Sequence, residues 1–266
     1  MLIELPEKPL TILDAKGRKI LSFLPEYYTK NDQGIFTAEL LDLHSRSLVR
    51  PKQADFNGRG DPASYVIRED PPGKKNEAYP WGCINFAAWV SLGHDSAETR
   101  ISADWHGNTV QRFVDIQNHH HFVRFYTMKL NYALHNCYPE SYKAHVRMKT
   151  NLQEKFPVVK TTTVNNPSVL AGTSYIYNRQ TPLHTDAREG MRGVSPLVVM
   201  GDCTTGYLAI PRLRVKIPYR PGSLVFLRGK LLDHKVLGWE GEGNRICLAH
   251  FNHETEWKNA GVETVW

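Results

Sequence analysis

This sequence has no long apolar run and no closely paired cysteines, and its first residues do not have the pattern of a signal peptide. No stretch of the 266 residues approaches the ~18 consecutive apolar residues of a membrane-spanning helix. Residues 1–8 carry glutamates where a signal peptide has a basic region followed by an apolar core. We therefore expect an intracellular protein without a membrane partner.

The cysteines are few and far apart. They are Cys83, Cys137, Cys203 and Cys247, and none forms a C-x-x-C pair. A structural zinc site is therefore not expected. In a reducing compartment these residues are best interpreted as buried or free thiols.

The composition is that of an ordinary globular domain, with 41% hydrophobic and 23% charged residues. We expect a single domain over residues 1–266, with an elaboration of helices and strands over about 1–167 and a motif-bearing core over about 168–255. The formal net charge of +6 permits a polyanionic partner without requiring one.

Apolar residues recur at three- and four-residue steps between positions 109 and 137, which predicts a long helix. The residues that carry this pattern are Val110, Phe113, Val114, Phe122, Phe125, Tyr126, Met128, Tyr132 and Ala133. His119, His120 and His121 lie within it. Because consecutive helical residues point in different directions, we interpret these three as solvent-facing or interface residues and not as a metal site. A second helix is predicted over residues 141–156.

After residue 168, short apolar runs alternate with turn residues. Candidate strands cover residues 170–178, 197–200, 207–210, 223–227 and 245–251, and earlier ones cover 10–13 and 19–23. Helices followed by antiparallel strands favour an α+β fold, in which a double-stranded β-helix, or jelly roll, is buttressed by amino-terminal helices.

Two histidines and an aspartate have the arrangement of an iron site. His184 and Asp186 form a His-x-Asp triplet, and His234 follows later in the chain. Two imidazoles and one carboxylate can occupy one face of Fe(II) and leave the other face open for substrate and O2. Arg245, further along, can take a carboxylate in bidentate fashion. Together these residues predict an iron enzyme with a carboxylate-bearing co-substrate.

The triplet alone is weak, because random placement in a chain with 12 histidines gives about half an H-x-D match. Its context adds weight. His184 follows a predicted strand, His234 lies in the apolar run 231–237, and Arg245 opens another predicted strand. We therefore prefer a joint site, with three metal ligands and one anion-binding arginine, to the alternative of unrelated residues. In that alternative the histidines would be core residues, the aspartate would lie in a turn, and the arginine would lie on the surface.

Basic and apolar residues alternate between positions 212 and 217. As a strand, this segment would bury its apolar residues and present Arg212, Arg214 and Lys216 as a cationic stripe. Such a stripe is either a solvated face or a contact for a nucleic-acid backbone.

In these motifs the sequence resembles the Fe(II)/2-oxoglutarate dioxygenases, and within them the TET/JBP group. Residues 181–190, 197–202, 221–229 and 233–253 are similar to compact fungal members. The resemblance covers about residues 170–255, and the chain shows no cysteine-rich, zinc-binding extension like that of animal TET enzymes. It implies oxidation of methyl groups on flipped DNA bases by an Fe(IV)-oxo species, with Fe(II), 2-oxoglutarate and O2. It also implies a nuclear protein, with 5-methylcytosine favoured and N6-methyladenine possible.

The resemblance assigns the catalytic metal ligands and the co-substrate contacts. His184, Asp186 and His234 would hold the iron. Arg245 would bind one carboxylate of 2-oxoglutarate, and Arg179 would be a second basic contact.

It also assigns contacts to the DNA. His253 would contact the flipped base, and its position eight residues after Arg245 puts the two on the same face of a regular strand. Glu189 stands near that base, where a relative has aspartate. A base-contacting asparagine is expected in the amino-terminal half, where Asn85 and Asn108 are the candidates. The cationic stripe would hold phosphates.

Three functional hypotheses remain open. The first is an oxygenase of methylated DNA, and the second is an oxygenase of the same core that acts on a protein or a small molecule. The third is a catalytically silent jelly-roll binding module, against which the intact triad argues.

Overall fold

The computed structural model describes residues 1–46, 82–90, 98–241 and 243–266. The described strands are β1 (Ile3–Glu4), β2 (Leu10–Leu13), β3 (Lys19–Leu24), β4 (Gly82–Trp89), β5 (Arg100–Ile101), β6 (Gly172–Tyr177), β7 (Ser195–Gly201), β8 (Tyr207–Ile210), β9 (Val215–Pro218), β10 (Leu224–Leu227), β11 (Lys235–Val236) and β12 (Arg245–Phe251). The described helices are α1 (Lys30–Arg46), α2 (Ala103–His106), α3 (Val110–Cys137), α4 (Pro139–Lys155), α5 (Pro157–Thr162) and α6 (Glu254–Ala260).

Two sheets and a layer of helices make up the fold. The large sheet has eight strands in the order β2-β3-β10-β7-β12-β6-β4-β5, and the small sheet has four in the order β1-β9-β8-β11. Every pairing is antiparallel except that of β1 with β9. This is the predicted α+β class, with helices on one side of a strand sandwich.

The central strands of the large sheet are buried on both faces. In β7, Val198 and Met200 pack in the cluster formed with the helices, whereas Leu197 and Val199 pack in the cluster formed with the small sheet. Alternate residues of a strand point to opposite faces, so one strand contributes to two cores. The result is a sheet buried on both faces, and the loops of the candidate site extend from the ends of its strands.

Most predicted elements are confirmed. The long helix begins at Val110, where the Thr109 hydroxyl caps it by accepting from the Arg112 amide at 3.2 Å. Tyr175 and Tyr177 share one buried face of β6, as their spacing indicates. Sequence analysis did not identify β4 or α1.

The two parts into which we divided the chain share one sheet. β3 pairs with β10, and β4 pairs with β6, so strands from residues 1–167 extend the core sheet on both sides. The predicted boundary near residue 167 therefore does not separate two layers. Pairing across it covers what would otherwise be exposed strand edges.

The interpretation of the histidine triplet in α3 is wrong for two of its members. His119 and His120 are buried and only His121 is exposed. The His119 Nδ1 lies 2.7 Å from Glu39 of α1, and its Nε2 lies 3.2 Å from the Tyr175 hydroxyl. Partners from α1 and β6 make burial of this polar ring tolerable.

Several buried histidines give the fold a dependence on pH. Burial lowers the pKa of His145 to about 4 and that of His250 to about 3. The unfolded chain takes up these protons near pH 6.5, so the free energy of unfolding falls as the pH decreases below that value. Glu256 opposes the trend, because burial raises its pKa to about 7.

We predict that His145→Gln loses less stability than the parent protein between pH 7 and pH 5. His145 lies 2.5 Å from the Ser141 carbonyl, to which glutamine can also donate. Removing the titrating ring should reduce the loss by about 2 kcal/mol, at 1.36 kcal/mol per pH unit below 6.5. Urea unfolding at both pH values measures the difference, with the exposed His106→Gln as control. Equal pH dependence in parent and variant would contradict the assignment.

Candidate metal centre

Two main-chain hydrogen bonds bring His184 and His234 face to face. The His184 amide donates to the His234 carbonyl at 3.1 Å, and the His234 amide donates to the His184 carbonyl at 2.9 Å. The pair is an isolated antiparallel bridge outside the named strands. Directly opposed residues project their side chains to the same side, and the two imidazole centroids lie 4.3 Å apart.

Asp186 completes the cluster. One carboxylate oxygen lies 3.5 Å from His184 Nε2, and the other lies 3.7 Å from His234 Nε2. One ligand atom from each residue lies within 4.8 Å of the others. Ligand atoms about 2.0–2.2 Å from one ion have comparable mutual separations. The Asp186 amide donates to the Gly229 carbonyl at 2.9 Å, which fixes the main chain beneath the carboxylate.

Both imidazoles are oriented by main-chain carbonyls. His184 Nδ1 lies 2.8 Å from the Pro182 carbonyl, and His234 Nδ1 lies 3.0 Å from the Leu232 carbonyl. A carbonyl can only accept, so each Nδ1 carries the proton and each Nε2 presents a lone pair. Two neutral histidines and one carboxylate form a donor set that fits Fe(II).

Arg245, the first residue of β12, provides a buried cation. Arg245 is only 1% exposed, and its Nε and Nη2 have no hydrogen-bond partner. The rings of Tyr219 and Trp239 lie 5.1 and 5.4 Å from the guanidinium carbon. A buried guanidinium with unsatisfied donors is costly unless an anion pairs with it. Arg245 therefore fits a carboxylate of 2-oxoglutarate.

The main chain at Arg245 is held by Asn178. The Arg245 amide donates to the Asn178 side-chain oxygen, and the Asn178 amide donates to the Arg245 carbonyl, both at 2.8 Å. Arg179 follows Asn178 directly and is half-buried. This adjacency brings Arg179 close to Arg245, at the start of β12. Its co-substrate role stays a prediction.

Glu189 and His253 lie next to the Asp186 turn. The Glu189 amide donates to the Asp186 carbonyl at 2.9 Å, and Glu189 forms an isolated bridge with His253. The His253 ring packs against Trp89 and Phe251, with centroids 6.0 and 4.9 Å away, and those two rings also contact each other at 6.2 Å. The structure therefore joins both predicted substrate contacts to the metal-ligand turn.

The reasoning that led to His253 was nevertheless wrong in one respect. We placed it on the same strand face as Arg245, but β12 ends at Phe251 and His253 caps α6. Its amide donates to Glu256 at 2.7 Å. The capping contact, and not strand alternation, sets the direction of its ring.

The predicted cationic strand does not form as expected. Residues Pro211–Leu213 make a 3-10 turn, and Arg214 adopts a left-handed conformation with φ of 57°. Lys216 pairs with Glu4 at 2.9 Å, and Arg212 lies 3.7 Å from Asp233. A proline and a left-handed residue interrupt the strand pairing, so the three basic residues do not form one stripe.

The two candidate asparagines differ in their surroundings. Asn85, in β4, accepts from the Ser174 hydroxyl at 2.6 Å, whereas Asn108 is exposed before α3. Neither has a described contact with the metal ligands. A base-contacting role for either stays a prediction.

Several residues of the site were missed by sequence analysis. Gly229, Trp89, Tyr219 and Trp239 come from separate loops and strands and carry no spacing signal. Only the paired sheets bring them to Asp186, His253 and Arg245. Of the four cysteines, Cys203 and Cys247 are buried and Cys83 and Cys137 are partly buried. None of the described helices combines the length and hydropathy of a membrane span.

No protein-family model matches this chain, and no curated protein matches its sequence. Among solved structures, NgTET1 in complex with 5mC DNA is similar with a TM-score of 0.55 at 17% identity, over 95% of this chain and 82% of that chain. A rice dioxygenase for auxin oxidation has a TM-score of 0.40 at 14% identity, over 88% and 73%. An oxidoreductase of the 2OG-Fe(II) oxygenase family from Burkholderia pseudomallei has a TM-score of 0.33 at 10% identity, over 87% and 82%. The likeness to NgTET1 supports the jelly-roll fold and nothing finer, and the two lower scores add no weight.

We predict that Gly229→Ala weakens metal binding, because a Cβ at this position would collide with the Asp186 carboxylate. Displacing one of the three ligands should lower the affinity for Fe(II) by about 10- to 100-fold, which is the loss typical of substitutions next to a metal ligand. Anaerobic titration with Fe(II) measures this effect. Gly238→Ala is the matched control, since nothing lies within 4 Å of a Cβ there. Equal affinities in the two variants would mean that Asp186 does not ligate the metal.

Proposed function

We propose that this chain is an Fe(II)/2-oxoglutarate-dependent oxygenase that oxidises methyl groups on DNA bases. The observation that carries the oxygenase class is the combination of His184, Asp186 and His234 with the buried, unsatisfied guanidinium of Arg245. When bound, Fe(II) and 2-oxoglutarate supply O2-dependent oxidation of a C–H bond.

The residues of the chain have distinct roles in this proposal. His184, Asp186 and His234 hold the iron from one side and leave the other side for co-substrate and substrate. The carbonyls of Pro182 and Leu232 select the tautomer of each neutral imidazole in which Nδ1 donates and Nε2 presents the lone pair. The side chains of the two histidines are 8% and 6% exposed, which limits water around the ligand atoms.

Arg245 and Arg179 contact the co-substrate. Arg245 has two donors without a partner in a buried setting and donates them to one carboxylate. Arg179, at the end of β6, makes the second basic contact. The rings of Tyr219 and Trp239 keep the guanidinium in place and limit solvent around it.

The DNA substrate is supported by the position of His253 and Glu189 beside the Asp186 turn, and by the resemblance to the TET/JBP group. A methyl group inside a duplex cannot reach a buried metal, so the base must be extruded. His253, stacked on Phe251, would then contact the base edge, and Glu189, which accepts a hydrogen bond from the Ser195 hydroxyl, would lie near it. We favour 5-methylcytosine, with N6-methyladenine as the second base, and a nuclear location.

A protein or small-molecule substrate remains the second candidate. It is favoured by the loss of the predicted cationic stripe, because Arg212 and Lys216 are engaged with Asp233 and Glu4. Arg214 is exposed and keeps its proposed role as a phosphate contact.

We predict that Arg245→Gln raises the 2-oxoglutarate concentration needed for half-maximal turnover. Hydrogen bonds to charged groups contribute about 1.5–3 kcal/mol each, so losing a bidentate pair should cost at least about 100-fold. Iron binding should not change. Succinate release is measured against 2-oxoglutarate, with Arg147→Gln, on the exposed face of α4, as control. An unchanged requirement would point to another anchor.

DNA oxidation is tested with duplexes that carry 5-methylcytosine, N6-methyladenine or neither. After incubation with Fe(II), 2-oxoglutarate and ascorbate, nucleosides are quantified by mass spectrometry. His253→Ala should lower oxidation of the methylated base while DNA affinity stays nearly intact, because base contacts specify and phosphate contacts position. Affinity should fall with salt at a log-log slope of about −0.9 per phosphate.

Two outcomes separate the hypotheses. Salt-insensitive or absent DNA binding, with succinate still released without substrate oxidation, would favour a protein or small-molecule substrate. If His253→Ala oxidised the methylated base normally, only the proposed contact of His253 with the base would be ruled out. His234→Ala is the inactive reference, and activity retained in it would overturn the metal assignment.

A further inference from the structure

Helix α3 presents apolar side chains on the side that faces away from the core. Its inner side packs through Ile116, Val123 and Leu130, which are at most 2% exposed. On the opposite side, Phe125 is 58% exposed and Tyr132 is 68% exposed. The exposed positions are Val110, Gln111, Val114, Asn118, His121, Phe122, Arg124, Phe125, Met128, Tyr132, His135 and Asn136. We call these twelve residues the outer face of α3.

The outer face is poor in charge as well as rich in apolar groups. With neutral histidines, only Arg124 among its twelve residues carries a formal charge. The neighbouring helix α4 has eight exposed residues, of which Glu140, Lys143, Arg147, Glu154 and Lys155 are charged. A solvated helix normally resembles α4 in this respect. A contiguous apolar face of this kind is typical of an interaction surface.

We propose that the outer face of α3 pairs with the same face of a second copy, in antiparallel orientation about a two-fold axis near Val123. Reversing the helix about Val123 carries each of the twelve exposed positions onto another of the twelve. Val114 then lies opposite Tyr132, and His121 lies opposite Phe125. Such self-complementarity is the requirement of a two-fold interface.

The single formal charge of the outer face lies at its edge. At about 100° per residue, Arg124 and Phe122 lie on opposite edges of the face, and Arg124 contacts the His121 ring of its own helix. The helix dipoles favour the antiparallel orientation, because the partly positive start of each α3 then lies level with the partly negative end of the other.

The size of the face is adequate for a dimer. Val110 to Asn136 span about 39 Å at 1.5 Å per residue. Three half-exposed aromatic rings, a methionine and two valines along this length supply several hundred Å² of apolar surface. A stable interface buries about 800 Å² per partner, so the polar residues of the face complete the required area.

Sedimentation equilibrium over a concentration series tests self-association of the full chain. The parent protein should dimerise, and Phe125→Glu should weaken the dimer at least about 100-fold, because the substitution enters the interface twice. Met128→Lys is a second variant on the same face. The control Val164→Glu changes an apolar residue that is 73% exposed but lies outside the face. Thermal unfolding confirms that each variant is folded.

Cysteine cross-linking tests the orientation. Val114→Cys and Tyr132→Cys should not form disulfides alone but should form a mixed disulfide when combined, with the parent protein as control for the native thiols. Four results would overturn the proposal. These are a parent that stays monomeric at every soluble concentration, a dimer that survives both face variants, a dimer lost equally in Val164→Glu, and disulfides formed by Val114→Cys alone.

Discussion

The paired main-chain hydrogen bonds between His184 and His234 are the contact on which the candidate metal centre depends. The two residues belong to loops that follow β6 and β10, and no local structure connects them. Because a directly opposed antiparallel pair projects both side chains to one side, this single bridge sets the distance between the imidazoles. Asp186 then needs only its own short turn, fixed by the Gly229 carbonyl, to place a carboxylate between them.

The bridge can be precise because the sheets behind it are rigid. β7 and β10 are buried on both faces, between the helices and the small sheet. The same sheet carries Arg245 at the start of β12, where Asn178 holds its main chain. Burying this guanidinium without a partner costs stability. A bound carboxylate would relieve this cost, and for that reason we propose Arg245 as the co-substrate contact.

Where sequence analysis failed, the cause was a partner from elsewhere in the chain. The spacing in α3 predicted a helix correctly, but many of the residues that carry it are exposed, and polar His119 is buried. Periodicity reports the pitch of a helix and not which side its neighbours cover. His119 is accommodated by Glu39 and Tyr175, which lie far away in sequence. In the same way, Glu4 and Asp233 form ion pairs with Lys216 and Arg212, which were expected to belong to one stripe.

The sequence by itself determined the α+β class, the long helix, most core strands, and the identity of His184, Asp186, His234 and Arg245 as candidate site residues. These follow from local periodicity and from side-chain chemistry, and both can be recognised without knowing which distant segments are in contact. Only the tertiary structure decided that β3 and β4 extend the core sheet, that His253 caps a helix and packs against two aromatic rings, and that Gly229 leaves room for the Asp186 carboxylate. Those features are contacts between segments distant in sequence, and no single segment encodes its partner.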